Sequence, residues 1–297
     1  MVAGPADRPR DSVGSPSNSV GSPSDSVGGP SSSAPGRPGD PERRVAVITG
    51  AGRGLGRAIA LRLAADGTDV AVLARSAAEV EAVAEEARGL GARALALKVD
   101  VTSTPDVEGA RAEVEGRLGP VTAVVNNAGA VLYKPFVPLP GRPTGEAEAI
   151  SDTEWDDILA VHLGGAIRML RAFGPGMVDR GYGRVVNVAS NVVRRTVPFT
   201  VGYDTAKGGL VQLTRSLARE WGRYGVTVNA VAAGHFETAM TREQFANPEG
   251  LKKLLRRVPA GRAGELSELA ALVAFLAGEQ SGFITGETIG IDGGETL

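Results

Sequence analysis

From Arg43 onward the chain alternates two kinds of segment, and that alternation limits its fold more than any other feature. Short β-branched runs read as strands: VAVIT (45–49), DVAVLA (69–74), ARALALKV (92–99), VTAVVN (121–126), RVVNVA (184–189), VTVNAVA (226–232) and ETIGI (287–291). Between almost all of them lie a dozen or more residues rich in Ala, Leu, Glu and Arg at helical spacing. Strands that are apolar along their whole length are buried on both faces. A helical crossover returns the chain to the same end of the sheet, so neighbouring strands run parallel. The expected fold is α/β: a doubly wound parallel sheet of about seven strands in a single domain, 43–297. In such a sheet ligands bind outside the carboxyl ends of the strands, so reactive side chains are sought just after strands.

Residues 1–42 are a different kind of sequence. Positions 11–31 hold three seven-residue units, DSVGSPS, NSVGSPS and DSVGGPS. One Val in seven cannot offset the entropy of ordering the backbone, and Pro and Gly in every unit exclude a helix despite the heptad period. A disordered tail is expected, serving as an inert linker or, being Ser-rich, as a partner-binding or phosphorylated segment. The formal net charge of −2 provides no basic field for nucleic acid or an anionic membrane. With no cysteine and two histidines far apart, disulfides and thiolate sites are excluded and no metal centre is expected. No apolar run approaches the ~18 residues of a membrane span, and a secretory signal is not seen. A cytoplasmic protein with neither a nucleic-acid nor a membrane partner is the expectation.

The first strand leads into TGAGRGLG, Thr49 to Gly56, and then into a helical run. Glycines at 50, 54 and 56 permit a tight turn and close backbone approach, and the helix N-terminus offers amides to a pyrophosphate. The bland alternative is a flexible turn, but strand, glycine loop and helix in this order open a Rossmann-type nucleotide site. An NAD site usually carries an acidic residue at the end of the second strand, for the ribose 2′-hydroxyl. Here that place is Ala74, followed by Arg75, and Arg53 lies within the loop. Without a carboxylate to repel it, and with guanidinium groups to bind it, a 2′-phosphate is accommodated, so NADP(H) is favoured over NAD(H). Arg75 as a solvated residue at a helix start remains the alternative.

RVVNVA runs into Ser190; Tyr203 follows thirteen residues later and Lys207 four beyond that. On a helix, residues four apart share a face, so the Lys207 ammonium is expected beside the Tyr203 phenol, lowering its pKa. Tyr203 then becomes a proton donor or acceptor.

In these motifs the chain resembles the short-chain dehydrogenases/reductases over 43–297. TGAGRGLG is similar to that family's cofactor loop, DVT at Asp100–Thr102 to its adenine-side motif, and NNAG at Asn126–Gly129 to the motif after its fourth strand. VNAVAAGHFETAM resembles the segment that holds the nicotinamide through a threonine, here Thr238, and ITGETIGIDGG the terminal strand motif. The resemblance implies catalysis by Ser190, Tyr203 and Lys207: Tyr203 exchanges a proton with the substrate oxygen, Ser190 hydrogen-bonds that oxygen, and Lys207 binds the nicotinamide ribose. It implies cofactor contacts at Thr49, Gly50, Arg53, Gly54, Leu55, Gly56, Arg75, Asp100, Val101, Asn127, Ala128, Gly129, Tyr203, Lys207 and Thr238.

Three departures stand out. WDDILAVHL puts His162 where most members carry a catalytic asparagine that holds a relay water; imidazole also has a donor and an acceptor, with pH-dependent behaviour. A structural histidine on the apolar stripe of a helix over 156–170 is the alternative. A similar V-H-L-x-G occurs in type 2 multifunctional 3-hydroxyacyl-CoA dehydrogenases. Ala233 replaces the usual proline, with His235 just beyond facing nicotinamide or solvent. Some ten extra residues between Gly129 and Trp155 form a loop that either covers the substrate or is a surface insertion.

Met240, Phe245, Leu251 and Leu254 suggest an apolar lid and a hydrophobic alcohol or ketone; Arg194 and Arg195 either meet an acidic carrier or are solvated. The implied function is NADP(H)-dependent interconversion of a secondary alcohol and its ketone, with 3-oxoacyl and cyclic ketones as candidates. The alternatives are a nucleotide-sensing, non-enzymatic module and an NAD-dependent 3-hydroxyacyl dehydrogenase. A homotetramer or homodimer is the family expectation. Leu210, Leu213, Leu217 and Trp221 would serve an interface or an internal core equally well.

Overall fold

The computed structural model describes residues 44–140 and 148–297. The reading of 1–42 as a tail, and the middle of the inserted loop, lie outside these residues. The first half contains β1 (Val45–Thr49), α1 (Gly54–Ala65), β2 (Asp69–Ala74), α2 (Ala77–Gly89), β3 (Ala94–Lys98), α3 (Thr104–Arg117) and β4 (Ala123–Asn126). α4 (Asp152–Leu159) passes through a π-helical turn (Ala160–Gly164) into α5 (Gly165–Arg180). Then come β5 (Gly183–Ser190), α6 (Val201–Trp221), β6 (Val226–Ala233), α7 (Arg242–Ala246), α8 (Pro248–Leu255), α9 (Leu266–Leu276) and β7 (Thr288–Ile291).

The strands pair in the order β3-β2-β1-β4-β5-β6-β7, every pair parallel. This is the seven-stranded doubly wound sheet that the alternation implies. The winding reverses between β1 and β4, which opens a crevice at their carboxyl ends.

Burial explains why the strands read as unbroken apolar runs. All five residues of β1 are buried, and successive ones face opposite sides. Val47 packs with Leu73, Val124 and Val185 against α3 and α5, where Phe173 and Met177 fill the core. Ile48 packs with Val72 and Val186 against Ile59 of α1 and Leu269 of α9. Each such side chain contributes about 1.5–3 kcal/mol on burial, so the central strands form a rigid platform.

Polar groups inside this platform are paired across elements. Asn126 Nδ2 donates to Asn187 Oδ1 at 2.8 Å, Asn187 Nδ2 donates to Thr214 Oγ1 at 2.9 Å, and Thr214 Oγ1 donates to Leu210 O at 2.8 Å. This ladder ties β4 to β5 and β5 to α6. Leu210 is buried, and Leu213, Leu217 and Trp221 are partly buried and pack against the core.

Two boundaries differ from the sequence reading in ways that matter. β5 and β6 each run one residue further than expected, pairing Ser190 with Ala233, so Ser190 sits on the rigid sheet. The helix expected over 156–170 is broken by the π turn that carries His162, a local widening that recurs at functional sites. No described helix is long and apolar enough to cross a membrane.

Candidate active site

The loop after β1 is shaped by steric limits. Gly50 and Gly54 have φ of +63° and +56°, which a side chain would strain, and a Cβ on Gly50 would stand 2.9 Å from Ala128 Cα. α1 also lacks a capping side chain at Arg53 and has no acid in its first turn, whereas Ser76, Ser103 and Ser151 cap α2, α3 and α4. The first amides of α1 are thus left to an anion.

Thr49 and Asn127 stitch this loop to the end of β4. Thr49 Oγ1 accepts from the Asn127 and Ala128 amides, each at 3.0 Å, and Asn127 Nδ2 donates to Thr49 O at 2.9 Å. Thr49 and Gly56 consequently lie behind the cleft wall and not in its lining. Leu55, Val101, Asn127, Ala128 and Gly129 do line it.

The cleft has a volume of about 760 Å³, within the range of small-molecule sites. At one end lie Arg53 and Arg75. Arg53 Nη1 donates to Glu79 Oε1 at 3.4 Å, and Arg75 is exposed. Asp100 accepts from the Thr102 amide and hydroxyl at 2.9 and 2.7 Å; these bonds, with a smaller contribution from Arg75, hold its carboxyl below the usual range. Thr238 stands over Gly54, its Cβ 3.5 Å from where a Gly54 Cβ would be.

At the other end the cleft reaches Ser190, Tyr203, Lys207 and His162. α6 starts at Val201, which puts Tyr203 in its first turn and Lys207 one turn deeper. Tyr203 hydrogen-bonds Ser190. Lys207 is 4% exposed; its Nζ donates to Val188 O at 2.7 Å and lies 5.6 Å from the Tyr203 ring centre.

Burial corrects the expected electrostatics. Tyr203 is pushed up to about 12, chiefly by loss of hydration, with the Ser190 hydrogen bond acting in the other direction. Lys207 is pushed down to about 7 by the same cause. The spacing places the ammonium near the phenol, as expected, but desolvation outweighs any lowering of the Tyr203 pKa.

His162 is 4% exposed and meets the Tyr203 ring edge-on at a centroid distance of 5.1 Å. Its Nε2 lies 2.6 Å from Ala130 O and 3.1 Å from Ala130 N. A carbonyl only accepts, so the shorter contact assigns the proton to Nε2, and Nδ1 is a buried acceptor without a hydrogen-bond partner. Burial first, then Lys207, pushes the imidazole down to about 3. The pH-dependent behaviour expected of His162 near neutrality is therefore absent; the ring is neutral. Only glycine fits at 129, since a Cβ there would be 2.3 Å from His162 Cε1.

The remaining candidates are assigned by their contacts. Arg194 is exposed and donates to Thr288 O at 2.7 Å, and His235 pairs with Glu295 at 2.9 Å. In the inserted loop the Lys134 amide donates to Phe199 O at 2.9 Å, and Lys134 Nζ pairs with Glu154 at 2.8 Å. Phe199 has φ of +73°, the one non-glycine residue with positive φ among those described. The loop base thus clamps a strained residue just ahead of α6. Phe236 lines the cleft and is missed by the spacing rules, which carry no signal for it. Among the described residues no cluster of His, Cys, Asp or Glu could hold a metal.

Comparison with known proteins identifies the family. The family described as "Enoyl-(Acyl carrier protein) reductase" matches residues 50–296. The chain is 37% identical over 252 residues to the 3-oxoacyl-(acyl-carrier-protein) reductase of Pseudomonas aeruginosa, covering 84% of this chain and 96% of that one. It is 38% identical over 256 residues to galactitol 2-dehydrogenase (L-tagatose-forming) of Cereibacter sphaeroides, covering 85% and 94%. Among solved structures it is similar to actinorhodin polyketide ketoreductase with NADPH (TM-score 0.77, 34% identity, 86% and 97% covered). It is also similar to a gluconate 5-dehydrogenase of Burkholderia cenocepacia in complex with NADP and tartrate (TM-score 0.78, 32% identity, 85% and 95% covered). The chain belongs to the short-chain dehydrogenase/reductase family, and is an enzyme that interconverts alcohol and carbonyl groups.

Proposed function

We propose that residues 43–297 form an NADP(H)-dependent oxidoreductase that interconverts a hydrophobic secondary alcohol and its ketone, with 3-oxoacyl and cyclic ketones as the first substrates to test. The observation that carries this reading is the meeting of Ser190, Tyr203 and Lys207 at the far end of a cleft that begins at Arg53 and Arg75. The uncapped α1 and the two positive-φ glycines fit a pyrophosphate. Ala74, with no carboxylate, and the exposed Arg75 fit a 2′-phosphate. Glu79 opposes this only in part, because its carboxylate is turned to Arg53.

When bound, the nicotinamide supplies the hydride chemistry. Around it the chain's residues bind and move one proton. Ser190, fixed on β5, donates a hydrogen bond to the substrate oxygen. Tyr203, with a pKa held near 12, keeps its proton at neutral pH and delivers it to that oxygen during reduction. Lys207 holds the ribose, and its ammonium form stabilises the phenolate left when Tyr203 has given up its proton. His162 acts as a neutral acceptor at Nδ1, in the place of the family's asparagine, and its Nε2–H bond to Ala130 fixes the ring.

A panel of aliphatic, cyclic and 3-oxoacyl ketones assayed with NADPH tests the reading. Tyr203→Phe is expected to lower turnover about 10²–10⁴-fold while NADPH still binds. Undiminished turnover in that variant would remove Tyr203 from the reaction. We further propose a homo-oligomer, for which sedimentation is the measurement.

A further inference from the structure

The phosphate end of the cleft holds two arginines in unequal states. Arg75 is exposed and acts on Asp100 only through space. Arg53 is already engaged, its Nη1 donating to Glu79 Oε1 at 3.4 Å. Glu79 itself lines the cleft, together with Arg53, Arg75 and Ser76. A carboxylate thus stands among the groups that would receive a 2′-phosphate, and none of the sequence motifs accounts for it.

The local structure holds Glu79 at that place. It belongs to the first turn of α2, where Ser76 Oγ accepts from its amide at 3.4 Å. Its side chain lies against the glycine loop: a Cβ added to Gly52 would be 2.8 Å from Glu79 Cβ and 3.0 Å from Glu79 Oε2. Any side chain at 52 would displace the carboxylate, and glycine leaves it room to reach Arg53.

The charges at this end then oppose one another. A phosphate monoester carries about −1.5 to −2 at pH 7. Glu79 has the same sign and occupies one of the two guanidinium groups. A 2′-phosphate must draw Arg53 away from Glu79 and then sit near a bare carboxylate; a ribose 2′-hydroxyl is neutral and meets neither cost.

We propose that Glu79 is a specificity-determining residue that competes with the 2′-phosphate for Arg53, weakening the binding of NADPH while leaving that of NADH alone. The proposal rests on the NADP(H) reading of the cleft and names the residue that limits the preference.

Glu79→Gln keeps the size of the side chain and removes its charge. Wild type and variant are titrated with NADPH and NADH by fluorescence. They are also titrated by calorimetry with 2′,5′-ADP and 5′-AMP, which differ in the 2′-phosphate alone. The expected result is a rise of about three- to tenfold in affinity for NADPH and 2′,5′-ADP in Glu79→Gln, with NADH and 5′-AMP within about twofold of wild type. Most of the gain is expected to vanish in 1 M salt, where charges are screened beyond about 3 Å. Unchanged NADPH affinity, NADPH and NADH tightening together, or a gain that survives 1 M salt would overturn the proposal. Weaker NADPH binding in the variant would overturn it too, and would assign Glu79 the opposite role of presenting Arg53 to the phosphate. Equal affinity for NADPH and NADH in the wild type counts against the NADP(H) reading, whereas this proposal stands or falls on the change in the variant; binding of neither nucleotide ends both.

Discussion

Two buried side chains at the inner end of the cleft each make stability rise with pH, in separate windows. His162 has an ordinary value of 6.5 and is held near 3 in the folded protein. Between those values the unfolded chain binds the proton and the native one does not, so stability falls as the pH drops through that window. At pH 5 the loss from this one group is about 2 kcal/mol. His162→Asn is expected to remove that part of the acid sensitivity, visible as a Tm that changes less between pH 7 and 5 than in the wild type. Lys207 falls from 10.5 to about 7. Below pH 7 both states are protonated and the fold bears the whole cost of burying the cation; between about 7 and 10.5 that cost is relieved as the pH rises. Lys207→Met is therefore expected to be inactive yet more stable, by about 1–4 kcal/mol near pH 6, with the gain shrinking toward pH 10. A Tm series in pH checks both sign and window. The fold gives up stability here to keep an amine beside the phenol.

At the scale of elements, α6 must be held in register against β5 for Tyr203 to reach Ser190. The Asn126–Asn187–Thr214 ladder does this from within the core. Thr214→Val keeps the shape but leaves Asn187 Nδ2 buried without an acceptor, at an expected cost of about 1–3 kcal/mol in urea unfolding, with the m value unchanged. Which elements were legible in the sequence follows from what local spacing can encode. β1 and β2 fall where the apolar runs place them, because a strand buried on both faces has no other pattern to show. The π turn at 160–164 is not legible, since a change of period confined to one turn is too short for an apolar stripe to show. β3 is shorter than its run because the Arg93 amide and side chain are taken up by Asp69.

At the scale of the whole molecule, the order of motifs along the chain is the order in which the sheet delivers them to one edge. Strand ends bring Gly50, Ala74, Ala128 and Ser190 to a single cleft, so the general location of the site could be read from spacing alone. What spacing could not give is burial and long-range contact. The direction of the Tyr203 shift is set by dehydration that no i, i+4 rule contains. Glu295 meets Asn191 across 104 positions and belongs to no motif. The same holds for the division of labour at the phosphate end, where Thr49 and Asn127 build the wall while Arg53 and Arg75 stand at the opening. The central claim is that this assembled cleft is an NADP(H) site, and fluorescence titration of the purified protein with NADPH and NADH tests it most directly. Tight binding of NADPH, at least about tenfold weaker binding of NADH, and loss of that preference in Arg75→Asp are the predicted results, a tenfold ratio corresponding to about 1.4 kcal/mol. Equal affinity for the two in the wild-type protein, or binding of neither, would contradict it.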